Sequence, residues 1–186
     1  MDKKETKLSM NNILHERNGR KVLDNGRTVT KIIDKSKRLN HINDEWLKAY
    51  HEVHERYKFV PKLYDFTDDK TFVMEKIHGT PITKLSETDF EKDYFKIISK
   101  SFKILSSLYE YNINRSNWFW HCDTVTQNFM WDGENLTLID PESWFVFDDA
   151  FELFWTSQPK PGKAPKHFFA DQMLSNLSHE TTRWAL

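Results

Sequence analysis

The residues best equipped for chemistry fall in one stretch, HCDTVTQNFMWDGENLTLIDPE, residues 121–142. It holds His121, Asp123, Asn128 and Asp140. A carboxylate such as Asp123 can orient a hydroxyl and accept its proton. The amide oxygen of Asn128 and the carboxylate of Asp140 are hard oxygen donors, the kind Mg²⁺ takes in small numbers from a protein. Between them lie a turn, Asp132-Gly133-Glu134, and an apolar run, Leu136–Ile139, which together read as a hairpin ending at Asp140. Taken alone, His121 reads as a histidine satisfied by hydrogen bonds inside a core. Cys122 is the only cysteine, so an intrachain disulfide and a multi-cysteine metal site are excluded. It reads as a small buried residue and not a nucleophile. His51 and His54 flank Glu52 without the order His-Glu-x-x-His, which argues against metal-hydrolase chemistry.

The elements that must position these groups are legible from turns and periodicity. Asn12–Arg17, Arg20–Leu23 and Thr28–Ile33 read as strands, separated by the turn signals Asn18-Gly19 and Asp24-Asn25-Gly26. Asn43–Tyr57 reads as a helix capped by Asn43 or Asp44, with Trp46, Leu47, Tyr50, Val53 and Tyr57 near one face. Lys62–Phe66 and Thr71–Glu75 read as strands around the turn Thr67–Lys70. His78-Gly79-Thr80-Pro81 breaks the pattern and sets a boundary between residues 1–78 and 79–186. Beyond it, Ser86–Phe90 predicts a short helix with a capping pair, Ser86 and Asp89. Tyr94–Tyr111 predicts a second helix whose apolar face is Phe95, Ile98, Phe102, Leu105 and Leu108. Trp118–Cys122 leads into a loop, and Phe129–Trp131 and Leu136–Ile139 are short strands. Ala150–Trp155 and Phe168–Leu177 predict helices, and residues 157–166 a linker with a solvated Lys160, Lys163 and Lys166. The order is that of a two-lobed α+β fold.

Composition narrows the setting. A net charge of −1 gives no general attraction to nucleic acid or an anionic membrane. No apolar run approaches the roughly 20 residues of a bilayer span, and the polar start, MDKKETKLSMNN, lacks the apolar centre of a signal peptide. A lone cysteine suits a reducing compartment, so the expected location is the cytoplasm. Aromatic residues make up 15% of the chain, and Trp118, Trp120, Trp131, Trp144 and Trp155 read mainly as core.

The pattern His121-x-Asp123-x-x-x-x-Asn128, then two short strands, then Asp140, resembles the protein-kinase and aminoglycoside-phosphotransferase superfamily. The resemblance covers residues 12–155 and is strongest at 121–142. It implies a minimal protein-kinase-like fold, with an amino lobe of sheet and one helix and a shortened, mainly helical carboxy lobe. It implies ATP and Mg²⁺ as cofactors, Asp123 as catalytic base, Asn128 and Asp140 as metal ligands, and His121 as a brace for the loop. Lys31, on Thr28–Ile33, corresponds to the phosphate-contacting lysine. Glu45 is its favoured ion-pair partner, ahead of Glu52 and Glu55. Val73–Ile77, with Glu75 and Ile77, resembles the hinge beside the adenine. Phe147–Leu153 resembles the Asp-containing segment that leads into the next helix. The chain also departs from the pattern. Gly19 and Gly26 are the only glycines in the first 78 residues, Asp140 is followed by Pro141-Glu142 in place of Phe-Gly, and only residues 141–186 follow it. The residues after Asp140 are nearer to small-molecule kinases than to protein kinases. The sparse glycines and the short carboxy lobe keep open a kinase-shaped binding module without turnover, and transfer of a nucleotidyl group in place of a phosphoryl group is a third alternative. The acceptor, a hydroxyl of a small molecule or a protein, and the oligomeric state are not specified.

Overall fold

Strand-forming residues punctuated by turns build the first sheet. β1 (Ile13–Arg17), β2 (Arg20–Asp24), β3 (Thr28–Ile33), β4 (Leu63–Thr67) and β5 (Thr71–Glu75) form one antiparallel sheet in the order β1-β2-β3-β5-β4. The structure, a computed structural model, describes residues 13–17, 19–34, 39, 41–67, 70–124 and 126–148. The helices expected at Ala150–Trp155 and Phe168–Leu177, and the linker at 157–166, lie outside them. So do Asn12 and most of the segment expected at Phe147–Leu153. The β1–β2 turn depends on Gly19, whose φ is +71°; a Cβ there would meet Asp34 at 2.7 Å. The main-chain N–H of Asp34 donates to the Gly19 carbonyl at 2.6 Å. On β3 the alternation turns Lys31 and Ile33 to the same buried face, at 7% and 1% exposure.

Two compact units emerge from the contacts. One comprises residues 1–39 and 62–76, the other residues 40–61 and 77–186. The chain thus passes between units at Lys76–Ile77, close to the break read from His78–Pro81. The helix α1 (Asp44–Tyr57), expected with the amino-terminal strands, groups instead with the second unit. Asn43 caps it, accepting the Trp46 N–H at 2.9 Å. Its apolar face, including Trp46, Tyr50 and Val53, is buried.

The predicted short helix and its successor are one element, α2 (Glu87–Asn112). No Gly or Pro separates Phe90 from Tyr94, so nothing stops the helix that Ser86 starts. The Ser86–Asp89 capping pair is present, with the Asp89 N–H 3.1 Å from Ser86 Oγ. The buried face overlaps the expected one only at its carboxy end. Leu105 and Leu108 are buried as expected, but Phe95 is 83% exposed and Phe102 50%, and Phe90, Ile97 and Ile104 are buried in their place. Both sets repeat at helical spacing, so periodicity alone did not choose between them. A polar tie accompanies the buried stripe: Asp93 accepts the Trp131 indole N–H at 2.9 Å. That bond, with Lys96 beside it, holds the Asp93 carboxyl below the usual carboxylate range.

The other described part of the second unit is mostly short strands and single turns. β6 (Thr80–Pro81), β8 (Phe129–Trp131) and β9 (Leu136–Leu138) form one antiparallel sheet, and β7 (Trp118–His121) pairs with β10 (Trp144–Phe147). Gly79 lies so close to β8 that a Cβ would meet the Trp131 carbonyl oxygen at 2.7 Å. β6, β7 and β10 were not read as strands: β6 falls within the break His78–Pro81, and β7 and β10 are four-residue strands that pair only with each other, far apart in sequence. The core here is aromatic. Trp144 is fully buried, stacked with Phe119 at 4.9 Å and edge-on to His121 at 5.2 Å and Tyr50 at 6.3 Å. Trp46 donates its indole N–H to the Trp144 carbonyl at 2.8 Å.

A buried amide fixes the start of β7. Asn112, at 0% exposure, donates to the Phe119 carbonyl at 3.1 Å and to Leu108 at 2.8 Å, and accepts the Phe119 N–H at 2.7 Å. It thus completes the main-chain pairing of a strand that leads directly to His121. Removing it leaves a buried donor and acceptor without a partner. Asn112→Ala is expected to lower the unfolding free energy by about 2–4 kcal/mol, since such losses run ~1–3 kcal/mol per orphaned group and partly overlap. Denaturant melts check this; a loss below about 0.5 kcal/mol contradicts it.

Candidate active site

His121 ends β7, and its ring joins two stretches of backbone. The Asp123 N–H donates to Nδ1 at 3.2 Å. Nδ1 is therefore the acceptor, which leaves Nε2 to carry the proton and donate to the Ile139 carbonyl at 3.1 Å. At 1% exposure this histidine is structural, and what it braces is the loop carrying Asp123 and the strand end carrying Asp140.

Asn128 supplies a second clamp. Its Nδ2 donates to the Asp123 carbonyl at 2.8 Å and to the Asp123 carboxylate at 3.2 Å. The amide nitrogen is thus committed to Asp123, and Oδ1 is the atom suited to accept a cation. The Asn128 carbonyl also accepts the Ile139 N–H at 2.8 Å, pinning the residue before Asp140. Asn128 is 6% exposed, whereas Asp123 and Asp140 are half-buried.

Asp140 itself is in the left-handed region, with φ 78° and ψ 66°. A non-glycine residue there costs free energy, and such positions persist where surrounding bonds enforce them. Those bonds are visible. Pro141–Ser143 forms a single 3₁₀ turn, the Ser143 N–H donates to the Asp140 carbonyl at 3.0 Å, and the Ser143 carbonyl accepts the Cys122 N–H at 2.8 Å. Four residues of the motif, His121, Asp123, Asn128 and Asp140, are therefore joined through the main chain of Ile139 and Asp123. Among the described residues no three His, Cys, Asp or Glu side chains are grouped to hold a metal ion. Asn128 and Asp140 offer two hard oxygen donors, a set that fits Mg²⁺, which keeps most of its water, and does not fit Zn²⁺.

Cys122 lies beside this network. Burial, and then the Asp123 charge, push its thiol up to about 12. The residue is half-buried, and a thiol held un-ionised in this way is a poor nucleophile.

The other expected site residues lie elsewhere in the chain. Lys31 is buried on β3. Glu45 is exposed on the first turn of α1, and its carboxylate accepts the Asn117 amide N–H. Glu52 accepts the Tyr111 hydroxyl at 2.7 Å and Arg115 at 3.0 Å. Glu55 pairs with Lys58 at 2.8 Å. Glu75 ends β5 and accepts the Lys62 N–H at 3.1 Å, while the half-buried Ile77 follows it as the first residue of the second unit. Sequence reasoning missed Asn112, His41 and Glu142. Glu142 is buried at 6% exposure two residues after Asp140. The acidic residue at that spacing was the available signal.

No protein-family model matches the chain, and no curated protein matches it in sequence. Solved structures are similar in chain path. The ADP-bound aminoglycoside phosphotransferase APH(2'')-Ib is 16% identical, with a TM-score of 0.41 over 94% of this chain and 79% of that one. A choline/ethanolamine kinase family protein from Mesorhizobium loti is 13% identical, with a TM-score of 0.43 over 88% of this chain and 68% of that one. WbdD, in complex with the kinase inhibitor LY294002, is 16% identical, with a TM-score of 0.48 over 91% of this chain and 45% of that one.

Two measurements check this geometry. Glycine adopts a positive φ freely and valine does not, so Asp140→Val is expected to be less stable than Asp140→Gly by about 1–3 kcal/mol. Equal melting curves for the two variants would show that Asp140 is not held in that conformation. For Cys122, a thiol at about 12 is un-ionised at pH 8. Alkylation of the folded protein at pH 8 is expected to be on the order of 10²-fold slower than in denaturant, or more. Comparable rates would mean that Cys122 is accessible and ionised.

Proposed function

We propose that this chain is an ATP- and Mg²⁺-dependent phosphotransferase acting on a hydroxyl of a small-molecule or protein acceptor. The observation that supports it best is the clamp just described, in which His121 and Asn128 tie Asp123 to the strand end carrying Asp140. Phosphoryl transfer asks little covalent chemistry of a protein and much positioning and charge stabilisation. Asp123 orients the acceptor hydroxyl and accepts its proton. Asn128, through Oδ1, and Asp140 would hold Mg²⁺, whose contribution when bound is to neutralise charge on the nucleotide phosphates. Lys31 is the proposed phosphate anchor with Glu45 as its partner, and Glu75 and Ile77 the proposed neighbours of the adenine. The proposed setting is the cytoplasm, without nucleic acid or membrane as partner. Among the described residues no helix is long and apolar enough to cross a membrane.

One observation favours a second reading, a kinase-shaped binding module without turnover. The carboxylates of Glu45 and Glu52 already have partners in Asn117 and in Tyr111 and Arg115. Active phosphotransfer on the proposed plan asks one of them to serve Lys31.

Thermal shift and turnover separate the readings. ATP with Mg²⁺ is expected to stabilise the wild type by about 2.7 kcal/mol at 100 times its dissociation constant. Asp140→Ala is expected to lose the part of that gain that depends on Mg²⁺, and Lys31→Met to weaken nucleotide binding. Asp123→Ala is expected to bind nucleotide normally and to lose about 10²–10⁴-fold in turnover, measured over a panel of hydroxyl acceptors. Equal Mg²⁺-dependent stabilisation in wild type and Asp140→Ala sinks the metal role. Nucleotide binding without transfer to any acceptor supports the binding module.

A further inference from the structure

His41 lies just before α1, far in sequence from the residues that carry the site. Its Nε2 is 3.1 Å from the Glu142 carbonyl oxygen, and its ring stacks on Phe145 at 4.1 Å with 17° between the planes. A carbonyl only accepts, so Nε2 carries the proton and donates. Burial holds the imidazole below its usual pKa, and the ring is therefore neutral near pH 7. The two contacts divide the work. The stack seats the ring on β10, and the hydrogen bond reaches the one-turn helix Pro141–Ser143 that begins at Asp140.

That turn is anchored at both ends. Its amino end is held through Ile139, by His121 and Asn128. Its carboxy end is held at Ser143, by Cys122. Between them the chain carries Pro141, which has no N–H to donate, and the strained Asp140. The His41 bond reaches the middle of the turn, at Glu142, from a segment 101 positions earlier in the chain.

We propose that His41 is a positioning residue for Asp140: it holds the turn that sets the carboxylate's direction and takes no part in the chemistry. This rests on the phosphotransfer reading for its consequence, since a misdirected Asp140 matters where it binds a cation, but the positioning itself is independent of that reading.

Two variants separate the hydrogen bond from the stack. His41→Phe keeps an aromatic ring against Phe145 and removes the donor. His41→Gln keeps a donor and removes the ring. Two readouts are needed: amide hydrogen exchange over residues 141–145 by mass spectrometry in the nucleotide-free protein, and the Mg²⁺ concentration for half-maximal nucleotide stabilisation. His41→Phe is expected to speed exchange over 141–145 and to raise the Mg²⁺ half-saturation about two- to tenfold, the range one neutral hydrogen bond supports. His41→Gln is expected to lie nearer to wild type in both. Unchanged exchange in His41→Phe overturns the proposal. Faster exchange with an unchanged Mg²⁺ requirement also overturns it, because the contact is then structural only. A wild type that shows no Mg²⁺-dependent nucleotide stabilisation refutes the phosphotransfer reading instead. The exchange data alone then decide whether His41 orders the turn, and unchanged exchange still overturns it.

Discussion

The site hangs on one imidazole. His121 accepts from Asp123 and donates to Ile139, so a single rigid ring sets the spacing between two main-chain segments. Neither segment is regular secondary structure where it matters. Asp123 is in a loop after β7, and Asp140 follows the last residue of β9 by two positions. A loop residue has no ladder of its own to fix it, so its position must come from side chains. His121 and Asn128 supply that ladder, and both converge on Ile139, one from its carbonyl and one from its N–H.

Such a clamp is only as rigid as the surface behind it. His121 is nearly fully buried, edge-on to Trp144, which is stacked in turn on Phe119. Rings bury large areas with few rotatable bonds, so a floor of rings fixes an imidazole at low entropic cost. The floor is tied to α1 through the Trp46–Trp144 hydrogen bond and to α2 through Asn112 and Phe119. The helices therefore act on the site at one remove. They place the strand pair β7–β10, and the strand pair places the histidine. This is also how the aromatic rings of the chain bear on the geometry of the site.

Legibility in the sequence followed the range of the forces. Turns and caps are local, and they were read well: β3, β5 and β8, the Asn43 cap and the Ser86–Asp89 pair lie where expected. The motif His121, Asp123, Asn128 and Asp140 was legible because its spacing is a property of the chain. What failed was long-range. α2 has two overlapping apolar stripes, and only tertiary packing, with Asp93 meeting Trp131, selects between them. β10 is a four-residue strand whose partner is β7, 20-odd residues earlier, so nothing local marks it. His41 is 101 positions from Glu142 in sequence, and no window of sequence contains both. Glu45 shows the converse limit. Its place early in α1 is a local fact, but its carboxylate is engaged by Asn117, 72 positions away.

The strain at Asp140 unites these features. A positive φ at a non-glycine residue is tolerated only where neighbouring bonds leave no cheaper conformation. Here a proline follows it, which already restricts its backbone, and Ile139 before it is bonded on both its N–H and its carbonyl. Relaxing Asp140 would strain the bonds of Ile139 to Asn128 and His121, the two residues that also hold Asp123. The backbone of Asp140 and the loop of Asp123 thus share two anchors. On the proposed phosphotransfer reading, the site gains from these shared anchors, because the spacing of the two carboxylates is then set by the backbone and not by two independent side chains.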